Sequence, residues 1–485
     1  MAFSSSIFLL WFLPLFLILY FLLPYKLKNW FLLLASIFFF AWSAPEFVIV
    51  LGGSIITDFV IMRFMRNAES PSRKWLFLLS VIMNLGLLVY FKYMNFFVDQ
   101  FNSVLNLFGG KPEDWTRIAL PVGISFITFQ KLSCILEVYK KRHPGFDQFQ
   151  DYALYILMFP QILSGPIVRP GQISEQITDR REQNTIDNKL TGFCRFIIGL
   201  SKKVLIADVL GVTVNEIFAL PAGELSSGLA WTGAIAYTFQ IYFDFSGYSD
   251  MAIGLARMIG FRLPENFNSP YLSTSITEFW RRWHMTLSLW FRDYLFLPLA
   301  YSLSRKIPAE KYRGLKTEML IYIVSALTTF LLCGFWHGAA WSFVVWGLFH
   351  GFFIIIDRLF LLKFLKMTGR GPAVLFTFLI LVIGWVIFRA DNLPAAFIFL
   401  GKMFTFGGAE NQVWLNSKFW TIFCIAIFFS FWAGIKKVDP WIGKLYESPS
   451  NKTMVTIAIL AMLFFILNVA TITSSGFNPF IYFRF

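Results

Sequence analysis

Charge is what this chain has least of. Asp, Glu, Lys and Arg make up 14% of its 485 residues, against about 25% in a soluble domain. So few charges cannot cover a water-exposed surface, which excludes an ordinary soluble protein. Cysteine is also scarce. Cys134, Cys194, Cys333 and Cys424 lie singly in apolar stretches without paired spacing. That pattern excludes a disulfide framework and leaves them as small buried hydrophobes. There is no glycine-rich phosphate loop, no HExxH and no Cys/His metal spacing, so no bound metal is expected. No internal repeat of the kind many transporters carry is visible. The first apolar run lacks a basic segment before it and a small-residue cleavage site after it, and is expected to be a retained span.

Apolar residues fill the gap. They make up 57% of the chain, with 60 Phe and 17 Trp, and the mean hydropathy is +0.63. The long apolar runs lack a two-residue alternation, which points to helices and not a barrel. The expectation is an all-α polytopic membrane protein of about a dozen transmembrane helices. The net charge of +14 would suggest a nucleic-acid partner in a soluble protein. Here the positives sit in short loops between apolar runs, so the partner they imply is the lipid bilayer and no nucleic acid is expected. Lys26 and Lys28, then Arg63, Arg66, Arg73 and Lys74, then Lys140, Lys141 and Arg142 mark alternate connections. The positive-inside rule makes those connections cytoplasmic and the N-terminus extracytoplasmic.

One stretch carries chemistry on an apolar background. From Leu320 to Leu361 nothing before Asp357 is charged except, when protonated, His337 and His350. Its length suits about two spans. Ionisable groups there are expensive to bury and are candidates for function. His337 lies in a Gly334-to-Gly338 frame, which lets a helix or a ligand approach the backbone closely. The functional reading is a buried acid/base or acyl-transfer group. The bland one is a histidine bridging packed helices. His337 and His350 are thirteen residues apart, on nearly opposite faces if they share one helix, which makes them a poor metal pair.

Other polar segments punctuate the spans. The stretch from Pro170 to Lys189 reads as a solvated surface connector. Lys202 and Lys203 read as snorkelling side chains or a helix break. The segment YTFQIYFDFSGYSDMAIGLARMIGF (237–261) holds Asp244, Asp250 and Arg257. Asp250 and Arg257 are seven apart on one helical face, so they are expected to pair. After a Pro/Asn-rich turn, Ser275 and Glu278 form a capping box that opens a helix. That helix mixes tryptophans with Arg281, Arg282, His284, Arg292 and Asp293, as an interfacial amphipathic helix does. Its arginines suit lipid headgroups or the phosphates of an anionic cofactor.

At this point the motifs are specific enough to name a family. LPVGISF (120–126), SGPIVRP (164–170), KKVLIAD (202–208), YFDFSGYSDMAIGLA (242–256), ENFNSPY (265–271), SITEFWRRWHMTLSLWFRDYL (275–295), GFWHG (334–338), GWVIFRA (384–390) and PFIYFRF (479–485) resemble the membrane-bound O-acyltransferases. The resemblance is closest to their bacterial polysaccharide branch and runs almost the whole chain in order. It implies one integral-membrane acyltransferase domain over 1–485, with interfacial or re-entrant helices around a central tunnel. It places the family's catalytic histidine at His337 and its second characteristic histidine at His284. It gives His143 and His350 no role. It also implies acetyl-CoA as the donor, a bacterial inner-membrane location and O-acetylation of an extracytoplasmic polysaccharide such as alginate. The acetyl group would pass through a separate extracytoplasmic protein. The segment YSLSRKIPAEKYRGLKTEM (301–319) is longer than expected for an alginate system, so cellulose, peptidoglycan and other glycans stay open as acceptors.

The residues suit that chemistry. A sugar hydroxyl is a weak nucleophile, and a neutral histidine can take its proton or carry the acyl group itself. His284 suits positioning the donor or holding His337. Arg281, Arg282 and Arg292 suit the donor's phosphates. Two readings of other classes compete: a transporter, in which Asp244, Asp250, Arg257 and His337 line a proton or solute path, and a scaffold for a polysaccharide exporter.

Overall fold

The computed structural model describes residues 1–307, 309–312, 314–405, 415–434, 451–476 and 478–481. Among them the protein is almost wholly helical, as continuous apolar runs require when the backbone must satisfy its own hydrogen bonds in lipid. The exception is a two-residue antiparallel pair, Lys311–Tyr312 with Leu315–Lys316. It lies in the long segment 301–319. Among the described residues, seven helices are long and apolar enough to cross a membrane: Pro45–Asn67, Ser72–Leu107, Thr317–His337, Trp341–Thr368, Arg370–Arg389, Ser417–Gly434 and Val455–Ser474. Phe8–Leu22 and Leu393–Phe404 are apolar but shorter. Seven is fewer than the dozen expected, and Ile124–Tyr139, expected to be a span, is a helix of 16 residues, below full crossing length. The final four residues of the terminal PFIYFRF motif lie outside the described residues.

The chain forms two compact units. One comprises Met1–Leu200, Tyr248–Pro264 and the C-terminal stretch from Leu460; the other comprises Ser201–Gly247 and Glu265–Ile459. In the first, an ion pair is buried between helices. Lys131 Nζ lies 3.0 Å from Asp58, and Asp58 also accepts from Ser80 Oγ at 2.6 Å and Asn84 Nδ2 at 2.8 Å. This dense hydrogen bonding offsets the desolvation of both charges. Two expectations are corrected in this unit. Asp250 pairs with Arg195, at 2.9 Å, while Arg257 Nε donates to Asn188 at 3.1 Å. Sequence distance showed a shared face, but the partner came from another helix. The Pro170–Lys189 connector is also more ordered than expected. It contains the helix Pro170–Thr178 and the buried Arg180, which donates to Tyr20 Oη at 2.9 Å and Asn29 Oδ1 at 2.7 Å.

In the second unit, Lys203 does not snorkel. It is buried and bridges Asp208 and Asp244, each at 2.7 Å. The residues Lys202–Ala207 form a π-helical turn within a continuing helical run, so there is no break there. The helices Thr317–His337 and Trp341–Ile356 pack as a tight hairpin. Glycine makes that approach possible. A Cβ at Gly334 would run into the Phe343 carbonyl oxygen, and one at Gly347 into the Phe330 carbonyl oxygen.

Candidate active site

His337 is the last residue of Thr317–His337. At about 1.5 Å per residue, such a helix is roughly as long as a bilayer core is thick. The histidine therefore ends a helix long enough to be a candidate span. Gly338, whose Cβ position is taken by the Phe343 ring, begins the turn, and Trp341 starts the return helix. The imidazole is buried within an aromatic box. The Trp336 ring lies 4.8 Å away, Trp346 5.0 Å and Phe388 5.5 Å, all edge-on. Each wall comes from a different part of the fold: Trp336 from the same helix, Trp346 from the return helix and Phe388 from Arg370–Arg389.

His284 is held differently. The helix expected over 275–295 starts where foreseen, with Ser275 Oγ accepting from Glu278 N at 3.1 Å. It stops at Arg282 and restarts at Met285. His284 sits in the gap with φ +41°. A left-handed backbone is uncommon outside glycine and costs of order 1–3 kcal/mol, which only surrounding contacts can maintain. Those contacts come from Asn266. Its carbonyl accepts from Met285 N at 2.9 Å. Its side-chain Oδ1 accepts from Thr286 Oγ1 at 2.9 Å and lies 3.0 Å from His284 Nδ1. An oxygen already accepting from threonine is an acceptor toward the ring as well, so Nδ1 carries the proton and Nε2 presents its lone pair. Burial holds the His284 pKa down at about 3, so this ring is neutral. It lies outside the span-length helices. A run of rings ties the two histidine segments together: Trp283 packs on Trp385 at 4.9 Å, Trp385 on Trp346 at 6.0 Å and Trp346 on His337 at 5.0 Å.

The three arginines divide. Arg281 and Arg292 line a cavity of about 420 Å³ whose inner wall includes Trp280, Phe330 and Cys333. Cys333 is one helical turn before His337. Arg292 also contacts Asp293 at 2.7 Å. Arg282 points elsewhere and pairs with Glu278 at 2.8 Å. His350 is on the return helix, so the angle argument for one shared helix does not apply. The Trp346 ring packs against both histidines, at 5.0 Å from each. Among the described residues, no group of three or more His, Cys, Asp or Glu side chains is placed to hold a metal.

Residues 141–390, the stretch containing both histidines and the aromatic box, match the model of the membrane-bound O-acyltransferase family. The chain belongs to that family. Its relatives agree. It is 38% identical to the protein named "Probable alginate O-acetylase AlgI" of Pseudomonas putida, over the whole of both chains. It is 34% identical to the peptidoglycan O-acetyltransferase of Helicobacter pylori, over 84% of this chain and 81% of that one. A teichoic acid D-alanyltransferase of Bacillus subtilis is 32% identical over 47% of this chain and 56% of its own length. The chain is thus an O-acyltransferase and a multi-pass membrane protein, and the transporter and scaffold readings fall away.

Several residues around the two histidines escaped the sequence reading. Trp346 and Phe388 looked like ordinary span residues, since aromatics are common throughout the chain. Asn266 was visible within ENFNSPY, but nothing in its spacing linked it to a histidine 18 residues later. Asp357 caps the His284 segment from a distance, accepting from Thr277 N at 2.8 Å and Thr277 Oγ1 at 2.9 Å. An acidic residue ending an apolar run, directly before Arg358, gave no such signal.

Proposed function

We propose that this acyltransferase takes an acetyl group from acetyl-CoA on the cytoplasmic side of a bacterial inner membrane and delivers it for O-acetylation of an extracytoplasmic polysaccharide such as alginate. The observation that carries the reading is His337: a buried imidazole at the end of a span, ringed by Trp336, Trp346 and Phe388. A general base needs proximity and exclusion of competing water, and an aromatic box supplies the second.

In the step proposed, an acceptor hydroxyl oxygen attacks the thioester carbonyl carbon. His337 takes the hydroxyl proton as the new C–O bond forms. The C–S bond then breaks, and His337 returns the proton to the departing thiolate. No proton is gained or lost overall. His284, neutral and fixed through Nδ1, positions the segment that faces the donor. Arg281 and Arg292 supply positive charge for the donor's phosphates at the cavity rim; Arg282, engaged with Glu278, contributes least. The acetyl group leaves through a separate extracytoplasmic protein that modifies the polymer. Acetyl is favoured over D-alanyl because the O-acetylating relatives cover most or all of the chain, whereas the D-alanyl relative covers about half.

The test is incubation of the purified protein, in detergent or vesicles, with acetyl-labelled CoA and a glycan acceptor. CoA release with label moving to acceptor or partner supports the reading. Absence of CoA turnover in a well-folded preparation removes acetyl-CoA as donor.

A further inference from the structure

A basic cluster in the first compact unit, outside the histidine segments, has no anion of its own. It forms where Phe8–Leu22 gives way to the helix Tyr25–Ser43 and the connector Pro170–Lys189 folds against them. We propose that Lys28 and Lys189 form a binding site for the headgroup phosphate of an anionic phospholipid.

Lys28 is only 8% exposed, yet among the described residues it has neither a carboxylate nor a hydrogen-bond partner. A lysine so buried is ordinarily paired. Its Nζ lies 4.8 Å from the centre of the Tyr20 ring and 5.7 Å from that of Phe21. From the helix Ile186–Ser201, Lys189 Nζ comes within 4.5 Å of the same Phe21 ring. Two ammonium groups thus converge on one phenyl ring. The ring faces attract each cation but do nothing for the repulsion between the two. A third cation, the buried Arg180, is anchored beside them, donating to Tyr20 Oη at 2.9 Å and Asn29 Oδ1 at 2.7 Å. The charges that act on Lys28 are those of Lys189 and Arg180, both positive. The neighbouring carboxylate, Asp179, is turned to Arg181 at 2.6 Å and to Tyr25 Oη at 3.2 Å. An anion between Lys28 and Lys189 would relieve the repulsion and give both lysines a partner.

The apolar surroundings favour a lipid over a free phosphate. Leu15, Ile18 and Leu22, on the helix that leads to the site, are 58–76% exposed. Their spacing puts them on one face, and Phe21 joins that face three residues after Ile18. An exposed apolar stripe therefore ends at a cationic pocket, which matches an amphiphile with acyl chains along the stripe and a phosphate at the lysines. Basic pockets beside membrane helices bind anionic headgroups in this way.

The test uses the purified full chain in nonionic detergent. Binding of phosphatidylglycerol is read by native mass spectrometry and by thermal unfolding, with phosphatidylcholine and glycerol phosphate at the same concentration as comparison arms. The expected result is bound phosphatidylglycerol and a raised unfolding temperature, matched by neither comparison arm. Lys28→Gln and Lys189→Gln should each weaken phosphatidylglycerol binding about fivefold, the scale of one lysine at an anionic surface. Lys26→Gln removes the same charge from an exposed position two residues away and should bind like wild type. Monodispersity on size exclusion is the folding control; if Lys28→Gln fails it, Lys189→Gln decides. Equal binding of phosphatidylcholine overturns the proposal. So does an equal effect of glycerol phosphate, which would make the ligand a soluble phosphate. Unchanged affinity in the monodisperse Lys28 and Lys189 variants overturns it too, as does a loss in Lys26→Gln as large as theirs, which would mean diffuse attraction to a basic surface.

Discussion

Asn266→Ala should loosen the His284 segment in a measurable way. Asn266 is 1% exposed, and its Oδ1 serves His284 Nδ1 at 3.0 Å, Thr286 Oγ1 at 2.9 Å and Thr286 N at 3.3 Å. Alanine leaves all three donors without this acceptor. The threonine hydroxyl can rotate toward another oxygen, but the ring and backbone N–H groups cannot, and each buried orphan costs about 1–3 kcal/mol. Relaxation of the left-handed backbone at His284 offsets some of this. The net loss is about 2–4 kcal/mol, together with a displaced His284 and roughly 10²-fold slower transfer, the scale of a 1 Å misplacement. The assay is thermal unfolding in detergent, followed by tryptophan fluorescence, alongside CoA release.

A pH arm sharpens the same test. Burial depresses the His284 pKa to about 3, below the ~6.5 of an unfolded imidazole. The unfolded chain binds more protons between those values. This histidine's contribution to stability is therefore full above about pH 6.5 and declines as pH falls toward 3, by up to ~1.4 kcal/mol per unit. Asn266→Asp places a carboxylate against the ring, favours the imidazolium and should flatten that acid dependence. Wild-type unfolding temperature and turnover in Asn266→Ala would refute the reasoning, since the side chain could then not be what holds His284.

Two further predictions concern orientation and donor binding. Cysteines placed at Ser4 and Ser72 should be labelled by an impermeant thiol reagent from outside and from the cytoplasm respectively; the reverse pattern overturns the orientation read from the Lys/Arg alternation. Arg281→Gln and Arg292→Gln should weaken acetyl-CoA binding more at low salt than at high salt, where the attraction is already screened. Arg282→Gln should affect binding least because Glu278 already holds that side chain, and unchanged binding in the first two variants would make those arginines headgroup contacts.

The physical reasons for what could and could not be read from the sequence are visible in particular residues. Membrane class and helical architecture follow from one-dimensional quantities, few charges and long apolar runs, so they were legible. The Gly334-to-Gly338 frame foretold a close approach, and the hairpin with Trp341–Ile356 makes it. Which group filled the space was not legible, because Phe343 and Gly347 come from a helix whose start is hidden in the apolar run GAAWSF. The break at His284 was missed because WRRWHMTL keeps helical periodicity. Asn266, from an earlier turn, supplies hydrogen bonds that help hold the left-handed residue. Asp250 and Arg257 had matching faces, yet Arg195 and Asn188 were better placed. Pairing depends on neighbours that helical periodicity does not specify. The division between Arg281 and Arg282 follows from rotation about the short helix Ile276–Arg282, where adjacent arginines face different surroundings.

The most direct test of the central claim is acetyl transfer by His337→Gln. Glutamine keeps hydrogen-bonding capacity and approximate size but cannot take up the proton. The account predicts a folded, membrane-inserted protein, monodisperse in detergent, whose transfer falls at least ~10²-fold, the low end for losing a general acid/base, with His337→Ala no better. Near-normal turnover in His337→Gln would show that His337 is a hydrogen-bonding bridge between helices and contradict its assignment as the group that moves the proton.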